Sequence, residues 1–529
     1  MPRTRRRRPG DAGDHLGRRS HQHVQLHRHR QLPPRARRGH QDRDHHGGRV
    51  RGPCRAGDPG RADPRPPPVP GAGRPAADRA GHLRDPVTTR TPAGRVEIAG
   101  VAAEVATLLR ELAPDLWWYD RSPFLSDSAR SALPWLRYER RDHRAEAADG
   151  PPGPPVPARS VPAGRVGITF APEDGTGARS WAAGRGLRLL APPRAAAEVA
   201  ADKIDSLRLF ERAGVTVPAT GVVLADPGDA ESCWAAGGGR PVVVQRRANN
   251  LTGKGTRLAT DVAQLRAVLG DWRGEPLRVS AFTPGIPLTV SGCATGDGTA
   301  VSAVSHQLVG LSELTPYWGA HCGNQLVADD ELPAGVGRRC RQVCEQVGDQ
   351  LRELGFRGAF GLDLVAAVDG TVFAVEINPR FQTVVSLVHA QEIAAGLLPM
   401  LGAHALASLL PSVPVRRVRT ACLALSQLVV PVVHRGVLDA IPASGCYRLE
   451  AGELRPLGHK QLTDLRPGEA LLWQHARPGD RVRPGEELVL VQLPHRAAPV
   501  GERPALAPVA RAWVDAVHRA TTVMEGPPR

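Results

Sequence analysis

The segment Gly361 to Arg380, GLDLVAAVDGTVFAVEINPR, constrains the fold more than any other stretch, because its strand register can be worked out from the residues alone. Asp369-Gly370 separates two alternating apolar runs, a strong signal for a two-residue hairpin turn. Such a turn pairs residues whose numbers sum to 739, which sets Asp363 opposite Glu376. Asn378 lies two residues beyond Glu376 and projects from the same face. Opposed carboxylates about 4.5–5.5 Å apart at Cβ repel one another, and a divalent cation removes that repulsion. Two carboxylates and an amide oxygen are hard donors, the set that holds Mg²⁺ beside phosphate when waters complete the shell. An isolated E-x-N tripeptide is more simply a solvated acidic surface. The cross-strand partner reverses that preference and makes Asp363, Glu376 and Asn378 candidate metal ligands.

Charge is distributed very unevenly. The chain has 529 residues with 69 Lys plus Arg against 53 Asp plus Glu, a net +16. Residues 1–90 hold 22 Arg, no Lys, 8 Asp and no Glu, so +14 lies there and +2 in the other 439 residues. That segment has no aromatic residue and no Ile, too little apolar surface to offset the entropy of ordering it. It is expected to be disordered, and it looks like an out-of-frame or misplaced start in a GC-rich reading frame. A basic nucleic-acid arm is the other reading, less favoured because neither lysines nor stacking aromatics accompany the arginines. The eight cysteines include no CxxC, so reduced thiols and no zinc site are expected. No apolar run approaches the roughly 18–20 residues of a membrane span, and no apolar h-region follows the basic N-terminus. A cytoplasmic protein with no membrane partner is expected.

The remainder reads as α/β (α+β). Val96 to Leu112 has a helical period, LWWY at 116–119 is a strand, and 145–162 is a Pro/Gly/Ala linker. Strands at 165–170 and 187–192 flank a helix at 177–185. One long helix is predicted over 194–213, with Lys203 in its middle, and another over 388–410. PVVVQR at 241–246 is a β-branched strand running into the polar loop RANNLTGKGT. A helix follows at 260–269, a strand at 277–282, two strands around Gly296-Asp297-Gly298 and a helix at 336–354. A β-rich segment containing RPGDRVRPGEEL precedes a last helix near 507–523. The loop fails the P-loop pattern, since position 248 is Ala and Gly255 follows Lys254. Its backbone N–H groups, with the hydroxyls of Thr252 and Thr256, can still fold over phosphates, though a mobile surface loop is the blander reading. Lysine is scarce in this Arg-rich chain: only Lys203, Lys254 and Lys460 occur.

Taken in order, Ala201-Asp202-Lys203, AGVTVPAT, PVVVQ, the loop at 251–256, FTPG, GFRGAFGLDL and AVEINPR resemble the ATP-grasp superfamily over about 190–410. Within it, the C-terminal GDRVRPGEELVLVQ run is similar to the closing subdomain of L-amino-acid and peptide ligases of the pheganomycin type. The resemblance implies an ATP-grasp fold divided into a disordered tail (1–90), a pre-ATP-grasp-like α/β segment (91–192), the ATP-grasp domain (193–410) and a C-terminal β-rich subdomain with a terminal helix (411–529). It implies an ATP-dependent carboxylate-amine ligase that forms a peptide or amide bond through an acyl phosphate and releases ADP, as in natural-product biosynthesis. Its cofactors would be ATP and Mg²⁺, with Mn²⁺ as a substitute, and its partners small carboxylates and amines such as amino acids or peptides. By position, Lys203 resembles the lysine that contacts ATP phosphate. The 251–256 loop (Thr252, Gly253, Lys254, Gly255, Thr256) resembles the phosphate lid, and Ser280, Ala281 and Phe282 resemble the adenine-facing hinge. Asp363, Glu376 and Asn378 resemble the metal ligands, and Arg380 the arginine that meets the acyl phosphate, so Lys203 and Arg380 carry the catalytic roles.

Two positions depart from the pattern. The strand lysine of many members is Gln245 here, and the hinge glutamates are Ser280-Ala281. Arg246, Arg247 or Lys254 are the cations available to replace the lost charge, so Gln245 and Arg246 join the nucleotide-binding candidates. Two alternatives stay open: a catalytically impaired ATP-binding module, motivated by Gln245, and a biotin-carboxylase-like enzyme, which ranks lower. His306, His321 and Asn324 are weak substrate-loop candidates. Tyr317 and Trp318 are expected in the core.

Overall fold

A computed structural model describes residues 102–120, 133, 135–140, 164–171, 176–247, 255–415, 421–503 and 505–524. The expectations for 1–90 and for the linker at 145–162 lie outside the described residues. All of the described residues belong to one compact unit, Arg84–Arg529.

The first layer follows the α/β pattern of the sequence. Helix α1 (Ala102–Leu112) leads to β1 (Asp115–Asp120), and β2 (Arg137–Arg140), β3 (Arg165–Thr169), α2 (Thr176–Gly184) and β4 (Arg188–Leu189) follow. These strands make a parallel sheet in the order β2-β1-β3-β4. Trp118 on β1 is fully buried and meets the Phe381 ring edge-on at 5.3 Å. That contact joins the sheet to the element carrying Arg380.

The helix predicted over 194–213 is two helices, α3 (Arg194–Ala201) and α4 (Ser206–Arg212). The apolar period runs through both, but Asp202 breaks the chain between them. One of its carboxylate oxygens accepts the backbone N–H groups of Ile204 (2.8 Å) and Asp205 (2.9 Å), the local competition by which Asp favours turns over helix. Lys203 therefore sits in a turn, and its backbone N–H donates to the Arg247 carbonyl at 3.1 Å. The helix predicted over 388–410 also divides, into helices at Val385–Ala394 and Met400–Leu409. Gly396 takes a φ of +70° between them and Pro399 opens the second.

Strands β5 (Thr220–Leu224), β6 (Val242–Arg246), β7 (Thr256–Ala259) and β8 (Pro276–Ala281) form an antiparallel sheet in the order β5-β8-β6-β7. One face packs Val242, Val244, Leu277 and Val279 against helices at Ala230–Ala236 and Val262–Asp271. The second of these is capped by the Asp261 side chain, which accepts the Gln264 N–H. The other face of the sheet looks into a cavity.

The opposite side of that cavity is a larger sheet. Its strands are β9 (Ile286–Ala294), β10 (Thr299–Val309), β11 (His321–Leu326), β12 (Gly358–Ala366) and β13 (Val372–Asn378), joined later in the chain by β14 (Ser426–Pro431). Beyond β15 (Gly436–Ala440) come β16 (Gly445–Glu450), β17 (Glu453–Pro456) and β18 (Glu469–Gln474); β19 (Arg481–Val482), β20 (Glu487–Leu493) and β21 (Thr522–Met524) complete the strands. Ten of these form one sheet, β13-β12-β9-β10-β11-β14-β20-β18-β16-β17, so the C-terminal segment extends the central sheet through the β11–β14 ladder. The helix Val336–Glu353 buries Cys340, Val343, Cys344 and Val347 against it. Among the described residues no helix is long and apolar enough to cross a membrane.

Candidate functional site

The hairpin register holds where it matters, for a different reason than predicted. Gly361 pairs with Asn378, Leu362 with Ile377 and Asp363 with Glu376, all summing to 739. Nearer the turn, Leu364 pairs with Ala374 and Ala366 with Val372, summing to 738. The loop is three residues, 368–370, with the Gly370 N–H donating to the Ala367 carbonyl and Gly370 at φ +82°. A β-bulge at Val375 inserts one extra residue and restores the predicted pairing. The bulge also shifts the alternation, so that Val375 and Glu376 both line the cavity.

Three side chains tie the carboxylates down. Glu376 Oε2 accepts Lys203 Nζ at 2.8 Å, and Lys203 is 4% exposed. Stripping one partner from an ion pair this buried costs on the order of 3–5 kcal/mol. Asp363 accepts Gln382 Nε2 at 2.8 Å and Asn378 Nδ2 at 3.0 Å. Gln382 is itself oriented by the Thr289 hydroxyl, which lies 2.8 Å from Gln382 Oε1. Gly361 makes this possible: a Cβ there would stand 1.9 Å from Gln382 Cδ. Burial, and then the facing charge of Glu376, push the Asp363 carboxyl up to about 6. The pair is thus short of positive charge, and its oxygens fit a hard divalent cation.

Arg380 follows directly. Its guanidinium donates to Asn378 Oδ1 and to the Phe381 carbonyl, both at 3.1 Å, and lies 5.8 Å above the centre of the Phe170 ring. Asn378 therefore bridges Asp363 and Arg380.

The cavity measures about 1700 Å³, against about 300–1,000 Å³ for a typical small-molecule pocket. Lys203, Gln245, Thr256, Ser280, Ala281 and Phe282 all line it, together with Asp363, Glu376, Asn378 and Arg380. Its far walls come from Tyr119 and Phe170 of the first sheet and from His475 and Arg481 of the C-terminal segment.

Other candidates fall elsewhere. Arg246 is turned the other way: strand alternation puts it on the face opposite Gln245, where it pairs with Glu275 at 2.7 and 2.9 Å. Arg247 is held by Asp202 and Asp205, pinning the Lys203 turn to the end of β6. Neither arginine therefore stands in for the missing strand lysine. Gly255 is described but not among the lining residues; its carbonyl accepts the Arg246 N–H. Thr252, Gly253 and Lys254 lie outside the described residues. Lys460 pairs with the buried Glu469, far along the sheet on its C-terminal side.

Of the weak candidates, His321 lines the cavity and meets Asn324 Oδ1 at 2.9 Å; burial lowers its proton affinity. His306 is fully buried between Gly501 O and the Gln325 amide, and burial lowers it to about 4. It is a structural residue. Tyr317 (71% exposed) and Trp318 (46%) are not core residues: they occupy the loop between β10 and β11, where Trp318 meets Phe282 edge-on at 5.7 Å. Sequence reasoning missed Gln382 and Arg278. The second is a fully buried cation in the middle of β8 and lines the same cavity.

Residues 200–384 match the model of the ATP-grasp domain. No curated protein matches the sequence. An L-amino acid ligase from Bacillus licheniformis is similar over 78% of this chain and 98% of its own, at 14% identity and a TM-score of 0.48. The ADP complex of purK, N5-carboxyaminoimidazole ribonucleotide synthetase, is similar over 72% and 91%, at 11% identity and 0.48. The biotin carboxylase domain of the Hydrogenobacter thermophilus 2-oxoglutarate carboxylase, crystallised with MgADP, ADP and bicarbonate, is similar over 81% and 90%, at 13% identity and 0.48.

Proposed function

With residues 200–384 forming an ATP-grasp domain, we propose that the chain is an ATP-dependent ligase that joins a carboxylate to an amine through an acyl phosphate and releases ADP. The observation that carries this reading is the convergence of Lys203, Asp363, Glu376 and Arg380 on one cavity large enough for a nucleotide and a second substrate. Asp363, Glu376 and the Asn378 oxygen would hold Mg²⁺ at the nucleotide phosphates. The metal, when bound, neutralises phosphate charge.

The chain's own residues position and neutralise. Lys203 stands beside Glu376 as a point charge for a phosphate oxygen. Arg380, held by Asn378 and stacked on Phe170, presents a planar fork to a carboxylate. A carboxylate oxygen forms a bond to the γ-phosphorus as the bond to the bridging oxygen of ADP breaks. The amine nitrogen then attacks the acyl carbon, the amide C–N bond forms, the C–O bond to phosphate breaks, and the amine loses a proton. Arg380 is placed to hold the oxyanion of that second step. In this reading 91–192 is a pre-ATP-grasp segment, 193–410 the ATP-grasp domain and 411–529 a closing subdomain that supplies the cavity's outer wall. The substrates are small carboxylates and amines, of which amino acids and short peptides are the first class to try.

Gln245 supports a second reading, a nucleotide-binding module without turnover, because no charge stands at the strand-lysine position. Hydroxylamine separates the two. Supplied as the amine with ATP, Mg²⁺ and pooled carboxylates, it should yield hydroxamate and ADP in equal amounts. Nucleotide binding without hydroxamate across amino-acid and peptide pools would favour the module.

A further inference from the structure

Arg278 carries the strongest unexplained chemistry in the molecule. It is 1% exposed, in the middle of β8, yet it lines the cavity. Its Nη1 donates to the Val375 carbonyl at 2.8 Å and its Nε to the Ser280 hydroxyl at 3.1 Å. Both partners are neutral, and among the described residues no carboxylate lies within ion-pair distance. Removing a guanidinium from water without a counter-charge is expensive. Burial accordingly lowers its proton affinity to about 10 despite the nearby charge of Glu376.

Its place in the sheet shows what the charge faces. Arg278 is directly opposite Gln245, and Gln245 is directly opposite Thr256. Directly paired residues share a face, so Thr256, Gln245 and Arg278 form one row across three strands. All three line the cavity, on the side that faces the Asp363–Glu376 pair. The row begins at Thr256, the first residue of β7.

Resting on the ATP-grasp reading above, we propose that Arg278 is a nucleotide-phosphate-binding residue: it supplies, from the neighbouring strand, the cation that Gln245 lacks. The ligand class is a nucleoside di- or triphosphate, the anion that would complete the buried guanidinium. The bond to the Val375 carbonyl gives Arg278 a second effect. The bulge that turns Glu376 into the cavity is held by the same guanidinium, so the phosphate-facing sheet and the metal-facing hairpin are fixed to each other.

The test compares ADP with adenosine by calorimetry on the full chain, because adenosine lacks the phosphates. Arg278→Met is expected to weaken ADP roughly 10- to 100-fold, the scale of a charge-assisted hydrogen bond, with adenosine unchanged within about twofold. Arg278→Met combined with Gln245→Lys is expected to recover most of the ADP affinity. Equal losses for ADP and adenosine, or no loss for ADP, would overturn the proposal and leave Arg278 a purely structural tie. Should Arg278→Met not fold, Gln245→Lys alone decides. Its lysine would stand opposite Arg278, so the free protein should melt lower than wild type and gain more from ADP. A gain from ADP no larger than that of wild type would overturn the proposal. Wild-type protein that binds neither ADP nor adenosine would overturn the ATP-grasp reading as well, and that outcome is distinct from a silent Arg278 variant.

Discussion

On the wall built by β12 and β13, two carboxylates face each other and three of their four oxygens meet a lysine or an amide, whereas on the wall built by β6 and β8 a single buried arginine meets only neutral oxygens. The first wall has negative charge that a cation would relieve. The second has positive charge that an anion would relieve. A magnesium nucleotide brings both, which is why the two walls make sense only together. The difference also separates local from distant causes. The carboxylate wall is one hairpin, set by a turn and a bulge, while the arginine wall depends on β8 pairing with a strand more than thirty residues earlier.

Breaking the carboxylate wall should have the largest effect. Glu376→Gln keeps the shape but removes the charge that Lys203 meets, and turnover with Mg²⁺ should fall by at least about 10²-fold. Circular dichroism should be unchanged and Mg²⁺ should no longer raise the melting temperature; wild-type rates would end the metal assignment. Arg380→Ala comes next. ADP affinity should stay within about threefold while amide formation drops by roughly 10²-fold, and a loss confined to ADP affinity would move Arg380 to the nucleotide. Gly361→Ala sharpens the comparison at its support. A Cβ 1.9 Å from Gln382 Cδ forces that side chain off Asp363, with an expected loss of about 1–3 kcal/mol by denaturant unfolding. The smallest effect belongs to Arg246→Ala. Its ion pair with Glu275 is exposed, so stability should change by less than about 1 kcal/mol and ADP affinity not at all; a large loss of ADP affinity would mean that the face assignment of β6 is wrong.

Most of the carboxylate wall was legible in the sequence because short-range signals set it. Asp369-Gly370 announced the turn, and alternation placed Asp363, Glu376 and Asn378 on one face. Reading that loop as two residues instead of three should have slipped the register by one. The bulge at Val375 cancelled the slip, and nothing local in VFAVEIN announces that bulge. Other errors had signals that were present. Strand alternation alone separates Arg246 from Gln245. The Gly396 and Pro399 pair marks the break in the 388–410 helix. By contrast, the turn that carries Lys203 lies inside an unbroken helical period, and it is held by Arg247, more than forty residues away. Arg278 had half a signal: an arginine between Leu277 and Val279 in a largely apolar strand. Its meaning required the β6–β8 pairing, which no spacing in the sequence states.

The most direct test of the whole account is nucleotide product analysis on the full chain with ATP, Mg²⁺ and pooled amino acids and short peptides, resolving ADP from AMP. The account predicts ADP and phosphate in equal amounts, appearing only when a carboxylate and an amine are both present. AMP with pyrophosphate would contradict it, because a carboxylate activated at the α-phosphorus leaves no acyl phosphate for Arg380 to hold.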